Sequence, residues 1–325
     1  MSDAVPRVSV IIPSYRTTRY IGAAIDSALN QTFPSFEVIV VSDGCPDTPA
    51  LEEVLRPYGS RIRYIWQPNR GTGVARNTAI RASAAEYIVQ LDADDILDPT
   101  CLESQVRMME ANPEMDALYC NSLHFVDSPE AAIRWPGMDQ TYYLDKYPST
   151  GTVSFCSIME FRTSPKVLGS IIKRKALERI GMHDENEILA EDLDLWLRML
   201  KADPPGRIGY NTEPLARYRL RHDNNTIDIR YPNLMLATLD KAGRVLNLTP
   251  EERECLTTRR AINQFEVDML KGKIAIRERR WQDAVRAYDS CYAYSRRKKY
   301  LMASWLLRTC PAALPLGLRL IGRQS

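Results

Sequence analysis

Short β-branched runs alternate with helix-period segments over the first 120 residues, and this alternation leaves few architectures open. VSVII (Val8 to Ile12) stops at Pro13 and reads as a buried strand. Ile21, Ile25, Ala28 and Leu29 then recur at helical spacing, behind Thr17 and Thr18, either of which can cap that helix. FEVIVV (Phe36 to Val41), IRYIW (Ile62 to Trp66) and YIVQL (Tyr87 to Leu91) give three further strands. Helices are expected between them over Thr48 to Leu55 and Val74 to Ala82, and Pro99 opens another that ends near Asn112-Pro113. Short strands separated by helices define an α/β protein with a central, mostly parallel sheet and helices on both faces. Ligands of such sheets bind at the carboxyl ends of the strands.

Beyond residue 120 the pattern loosens into a loop-rich stretch through Pro148. A strand GSIIK (Gly169 to Lys173), a helix Lys175 to Ile180 and an amphipathic helix Glu191 to Ala202 follow, the last with Leu195, Met199 and Leu200 on its apolar side. From about Leu234 the pattern is helical. Charge divides along the chain in the same sense. The net charge of +2 excludes a uniformly basic nucleic-acid binder, yet Lys271 to Ser325 holds 13 basic against 3 acidic residues. An acidic body and a basic tail therefore need separate explanations. The first residues show no apolar stretch behind a basic start, so no signal peptide is expected. Leu301 to Gly322 is interrupted by Arg308, Pro311, Pro315 and Arg319, so no spanning helix is expected either. Seven cysteines without a C-x-x-C pair point to reduced thiols in a cytosolic protein, with Cys120 and Cys156 as small core side chains.

Polar residues sit where the strand-end rule directs attention. The first strand runs into Pro13-Ser14-Tyr15, the second into Ser42-Asp43-Gly44 and the fourth into Asp92-Ala93-Asp94-Asp95. Three carboxylates in four residues repel one another unless a cation offsets them, and Mg²⁺ binds through one or two carboxylates plus substrate phosphates. Ser42-Asp43-Gly44 reads equally as a tight turn or as a carboxylate offered to a ligand base or ribose. Asn69-Arg70-Gly71, with Arg76-Asn77 one turn into the next helix, suits an anion such as a diphosphate, although solvated arginines are the commoner outcome. Glu191-Asp192 opens a helix, where the dipole alone explains carboxylates; the alternative is a general base. His222, in RYRLRHDNNT, is one of three histidines and is either structural or a metal ligand.

In this order the segments PSYR, VVSDGCPD, NRGTGVARN, LDADD and AEDLDLWLRM resemble the family 2 inverting glycosyltransferases of the GT-A fold. The resemblance covers Arg7 to Thr226. It implies a catalytic domain at 1–226, and the basic helical region at 227–325 lies outside it. It implies that Pro13, Ser14 and Tyr15 line the nucleotide pocket and that Asp43 contacts the base, with Arg70 and Arg76 near the nucleotide. By the same resemblance Asp92, Ala93 and Asp94 carry ribose and metal contacts, Asp94 ligating Mg²⁺ or Mn²⁺. Asp192 would be the catalytic base beside Glu191, and His222 matches a late metal- or diphosphate-contacting position more loosely. The implied activity is metal-dependent, inverting transfer of a hexosyl group from a nucleotide-diphosphate sugar, UDP-sugar favoured, to an acceptor hydroxyl in cell-surface polysaccharide or glycolipid synthesis. Q-x-x-R-W is absent, so one sugar per encounter is expected rather than polymerisation.

The tail admits two readings. Arg296-Arg297-Lys298-Lys299, followed by Tyr300, Leu301, Met302, Trp305, Leu306 and Leu307, is either a solvated face of a helical appendage or an interfacial segment for an anionic membrane. The second suits a lipid-linked glycan acceptor and a cytoplasmic protein peripheral on the membrane. Two other functions are weighed. A sugar nucleotidyltransferase would carry a Gly-rich triphosphate loop where this chain has Pro13-Ser14-Tyr15. A catalytically inactive GT-A-like scaffold or nucleotide-sugar-binding protein would not need both Asp94 and Asp192.

Overall fold

The computed structural model describes residues 5–146, 149, 152–186, 190–223 and 230–309. In chain order the elements are β1 (Val8–Ser14), α1 (Ile21–Leu29), β2 (Phe36–Asp43), α2 (Thr48–Leu55), β3 (Arg63–Gln67), α3 (Thr72–Ala82), β4 (Tyr87–Gln90) and β5 (Ile96–Leu97). There follow α4 (Cys101–Ala111), β6 (Ala117–Val126), α5 (Pro129–Arg134), α6 (Tyr143–Lys146), α7 (Phe155–Met159), β7 (Ile171–Lys173), α8 (Arg174–Arg179), α9 (Glu191–Leu200) and β8 (Ile208–Leu220). The described residues that follow are mainly helical, with α10 (Arg230–Val245), α11 (Pro250–Arg277), α12 (Trp281–Ser295) and α13 (Lys298–Thr309). A short 3-10 segment, Arg56–Arg61, links α2 to β3.

The strands form one eight-stranded sheet in the order β3-β2-β1-β4-β7-β6-β8-β5. The half from β3 to β4 is parallel, as the alternation predicts. Past β4 the sheet is mixed: β7 is antiparallel to β4 and β6, β6 and β8 run parallel, and β5 is antiparallel to β8. The expected loop-rich stretch after residue 120 is therefore in part a long strand, β6. Its alternation is hidden because Asn121, Ser122 and His124 are buried polar residues; Asn121 Oδ1 accepts the Leu144 N–H (3.0 Å). β8 is disguised by Pro214, which has no N–H to donate and sits at a bulge where the β6 register shifts at Asn121. Neither Thr17 nor Thr18 caps α1. Tyr20 occupies the cap position, Thr17 is bonded to Ser14, and Thr18 Oγ1 donates to Asp47.

Val10, Ile12, Val38 and Val40 face one side of the sheet against α1 and α2, while Ile11, Ile39, Val41 and Ile88 face the other against α3 and α9. The second core does not stop at residue 226. Met235, Leu239 and Ala242 of α10, then Leu248 and Leu256, belong to it. Lys241 reaches Asp184 (2.5 Å) and Asp194 (2.7 Å), fastening α10 to α9 and the segment before it. A separate small core of Ala275, Ala284, Tyr288, Cys291, Tyr300 and Leu307 holds α11, α12 and α13 together. The cysteine expectation needs correction: Cys156 is bonded to Cys255, with Cα atoms 5.6 Å apart, joining α7 to α11. The fold brings two residues 99 positions apart within bridging reach, a proximity no local spacing reveals. Cys45, Cys101, Cys120 and Cys291 are free and buried, so Cys120 is the core side chain expected, whereas the cysteine pattern no longer argues for a reducing compartment. Among the described residues no helix is long and apolar enough to cross a membrane.

Candidate active site

β1, β2 and β4 run parallel and in neighbouring positions, so their carboxyl ends open on one rim. After β1, Pro13 is half-buried, the Ser14 hydroxyl pairs with Thr17 Oγ1 (2.9 Å), and Tyr15 is exposed with the Arg16 guanidinium 5.3 Å from its ring centroid. At the end of β2, buried Asp43 organises the loop that follows β3. Its Oδ1 accepts Gln67 Nε2 (2.7 Å) and the Arg70 N–H (3.0 Å), and its Oδ2 accepts the Gly71 N–H (2.8 Å). Gly71 lies at φ 96°, a turn that a side chain would strain. A carboxylate offers about four lone-pair sites, so these three bonds leave Asp43 little free capacity. Arg70 is exposed and turns its guanidinium to Glu185 (3.2 Å).

Arg76 departs from expectation. Its side chain is 2% exposed, not open to the rim; Nη1 donates to Glu191 Oε1 and Nη2 to Asp92 Oδ1, each at 2.6 Å. Burial alone would drive the proton off, but Asp92 and Glu191 outweigh it and hold the pKa above the usual arginine value. Arg76 is thus a charged strut joining the turn after β4 to the start of α9. Its neighbour Asn77 is buried as well, donating to the His183 carbonyl (2.8 Å) and accepting the His183 N–H (2.9 Å), which docks α3 on the segment leading to α9.

The acidic turn divides its carboxylates by direction. Ala93 is buried beneath the turn, and buried Asp95 accepts the Arg219 N–H (2.7 Å). Asp94 Oδ2 pairs with Arg221 Nε (3.1 Å), and the Asp94 carbonyl accepts Arg219 Nε (2.6 Å). Burial raises the pKa of Asp94, against the pull of Arg221, and raises that of Asp95 further with help from Asp94 and Asp92. One oxygen each of Asp92 and Asp94 lies outside these ion pairs. Two hard carboxylate oxygens completed by substrate phosphates are a donor set that suits Mg²⁺ or Mn²⁺. His222 is exposed in the turn after β8, and among the described residues no three His, Cys, Asp or Glu gather into a cluster.

Across the strut, Ala190 takes a left-handed conformation (φ 64°) and starts α9, placing Glu191 on Arg76 and Asp192 beside it. Asp192 Oδ1 accepts the Leu193 N–H (2.7 Å). Burial, reinforced by the Glu191 charge, pushes the Asp192 carboxyl up to about 6. The sequence reading missed three residues here. Arg219 and Arg221 clamp the acidic turn because β5 pairs with β8; their signal is the period-two spacing in RYRLRH, a segment considered above only for His222. Lys166 is half-buried, its Nζ 3.5 Å from the Tyr143 ring centroid and 4.4 Å from that of Tyr218. Burial lowers its pKa to about 8, although Asp95, Cys120, Asp192 and Asp92 oppose that. Nothing local in FRTSPKVLGS marks it.

A sheet whose parallel half ends in an acidic turn, with a second carboxylate pair beyond a buried arginine, has the layout of the GT-A fold. The sequence comparisons give the family. The profile of Glycosyl transferase family 2 matches residues 9–166. An uncharacterized glycosyltransferase of Rickettsia typhi is 30% identical over 247 residues, which span 76% of this chain and 74% of that protein. One of Rickettsia felis is 31% identical over 205 residues, 61% of this chain but 32% of the relative's length. The chain belongs to glycosyltransferase family 2. Among solved structures, S. aureus TarS 1–349 in complex with UDP-GlcNAc aligns with a TM-score of 0.62 at 18% identity, over 93% of this chain and 87% of that one. The mannosyltransferase PcManGT from Pyrobaculum calidifontis, in complex with GDP-Man and Mn²⁺, aligns with a TM-score of 0.59 at 20% identity, over 97% and 81%. At these identities what is shared is the GT-A fold.

Proposed function

We propose that this glycosyltransferase is an inverting, non-processive hexosyltransferase that moves one sugar from a nucleotide-diphosphate donor, UDP-sugar favoured, to an acceptor hydroxyl. The observation that carries the reading is the Arg76 strut, which ties the rim carboxylate Asp92 to Glu191, the neighbour of Asp192, through the two terminal nitrogens of one guanidinium. Inverting transfer needs acidic groups on two sides of one sugar, at the leaving diphosphate and at the attacking hydroxyl. Pro13, Ser14 and Tyr15 border the nucleotide. Asp43 shapes the Arg70–Gly71 loop beside it and keeps one lone pair for the base. Asp92 and Asp94 would hold Mg²⁺ or Mn²⁺, with His222 an outer contact, and the bound ion would neutralise the diphosphate. The bound GDP-Man and Mn²⁺ of PcManGT and the UDP-GlcNAc of TarS support this donor class.

Asp192 removes the acceptor proton. Raised to about 6, it is ionised at neutral pH yet basic enough to take a proton from a hydroxyl whose acidity grows as the new bond forms. Arg76 holds Glu191 in place through its ion pair, so Asp192 faces the acceptor side without competing for that guanidinium. The acceptor we assign is a carbohydrate or lipid-linked glycan of cell-surface polysaccharide or glycolipid synthesis, met at an anionic, cytoplasmic membrane face. α13 supports that assignment, with Leu301, Met302 and Trp305 46%, 56% and 61% exposed beside the basic Arg296 to Lys299. The deciding experiment is a panel of UDP-, GDP- and dTDP-sugars with Mn²⁺, read by hydrolysis and thermal stabilisation. At least one donor is turned over, and Asp94→Ala abolishes that turnover; turnover that survives the substitution overturns the assignment of the rim.

A further inference from the structure

We propose that Lys166 is a binding residue for the transferred sugar, its ammonium donating hydrogen bonds to oxygens of the hexosyl group between the diphosphate and Asp192. The inference rests on the transferase reading above and adds to it a residue outside every motif. Three observations carry it. The first is the cage: Nζ lies over the faces of Tyr143 and Tyr218, and His124 sets its ring edge-on to both, with centroids 6.1 and 5.7 Å away. Tyr143 is itself fixed through its hydroxyl to Ser164 Oγ (2.6 Å). A four-carbon stem normally leaves an ammonium mobile, and this cage gives it one position.

The second observation is that Lys166 enters no hydrogen bond or ion pair among the described residues, although Asp92, Asp95 and Asp192 all act on it electrostatically. An aromatic face stabilises the charge but accepts none of the three N–H donors, and a half-buried ammonium with unused donors calls for oxygen acceptors. The third is position. The groups that act on Lys166 include Asp95 and Asp92 of the acidic turn and Asp192 of α9, so its ammonium lies near both. On the transferase reading, the hexosyl group is what occupies the space between the turn and α9 during transfer. Arg76 pairs with Asp92 and Glu191 and Arg221 with Asp94, while Asp95 accepts the Arg219 backbone N–H; Lys166 acts on Asp95 through its charge but bonds to none of these carboxylates, so the turn uses none of its three N–H donors.

The test separates sugar from nucleotide. The full chain, as wild type, Lys166→Met and Lys166→Arg, is titrated calorimetrically with UDP and with UDP-GlcNAc in Mn²⁺, and with GDP and GDP-mannose as a second pair. Lys166→Met is expected to weaken the sugar-bearing ligand by about tenfold or more, the scale of hydrogen bonds from a charged donor, while the bare nucleotide stays within twofold. Lys166→Arg, which keeps the positive charge and N–H donors, recovers most of the loss. Retained nucleotide binding shows in the same experiment that the variant is folded. Equal losses for nucleotide and nucleotide sugar, or no loss for either, overturn the assignment of Lys166 and leave the transferase reading standing. A wild type that binds none of the four removes both.

Discussion

Single residues at this site are defined by what they are paired with. Asp192 is the acid whose titration has a visible consequence. Burial first, and Glu191 second, raise it to about 6, and its working form is the deprotonated one. Transfer measured as kcat/KM should therefore rise with pH through about 6 and level off above it. Glu191→Gln removes the like charge while leaving the burial, so the acidic limb moves to lower pH without reaching the value of a free aspartate. A limb that stays in place in that variant would dissociate it from Asp192. The carboxylates were all legible in the sequence because they sit at strand and helix ends, where periodicity stops. Their partners were not. Arg76 reads as one more helix-face arginine until β4 and α9 close over it, and Lys166 acquires its neighbours from α6 and β8, both remote in sequence.

Elements show a similar division. β1 to β4 and the helices between them follow from runs of valine and isoleucine punctuated by proline and glycine, and their observed bounds differ from the sequence reading by a residue or two. β6 and β8 escaped because the pattern that reveals a strand is apolar alternation. Asn121 and His124 bury polar side chains, and Pro214 breaks the ladder. The helical tail was legible as helix but not as packing. α13 turns Tyr300, Ala303 and Leu307 inward and leaves Leu301, Met302 and Trp305 outside, so its basic end adjoins an apolar face. If that face meets a membrane, the paired substitution Leu301→Ser/Trp305→Ser should abolish flotation with phosphatidylglycerol vesicles. Because both side chains are largely exposed, the melting temperature should change little. Flotation unchanged by the pair would leave the basic residues merely solvated.

For the whole molecule, the question is where the catalytic body ends. A resemblance that stops at Thr226 suggests a division at 226/227, whereas the core of the sheet takes in Leu239 and Leu256. We propose that the body runs through α10 and into α11. Leu239 is fully buried, so Leu239→Ala should cost about 2–5 kcal/mol in denaturant unfolding. The loss should fall on the same transition that nucleotide protects, although the residue lies beyond the motifs. An unaltered nucleotide-protected transition would return the boundary to residue 226. α11 itself has a further consequence. Its first turns carry Leu256 into the large core and the disulfide to α7, and its last turns carry Ala275 into the small one. At about 1.5 Å per residue, its 28 residues reach roughly 40 Å without a joint. A flexible tether would let the last helices wander over a range of distances; a single helix shared by both cores makes the appendage a ruler, holding whatever docks on α13 at one set distance from the sheet.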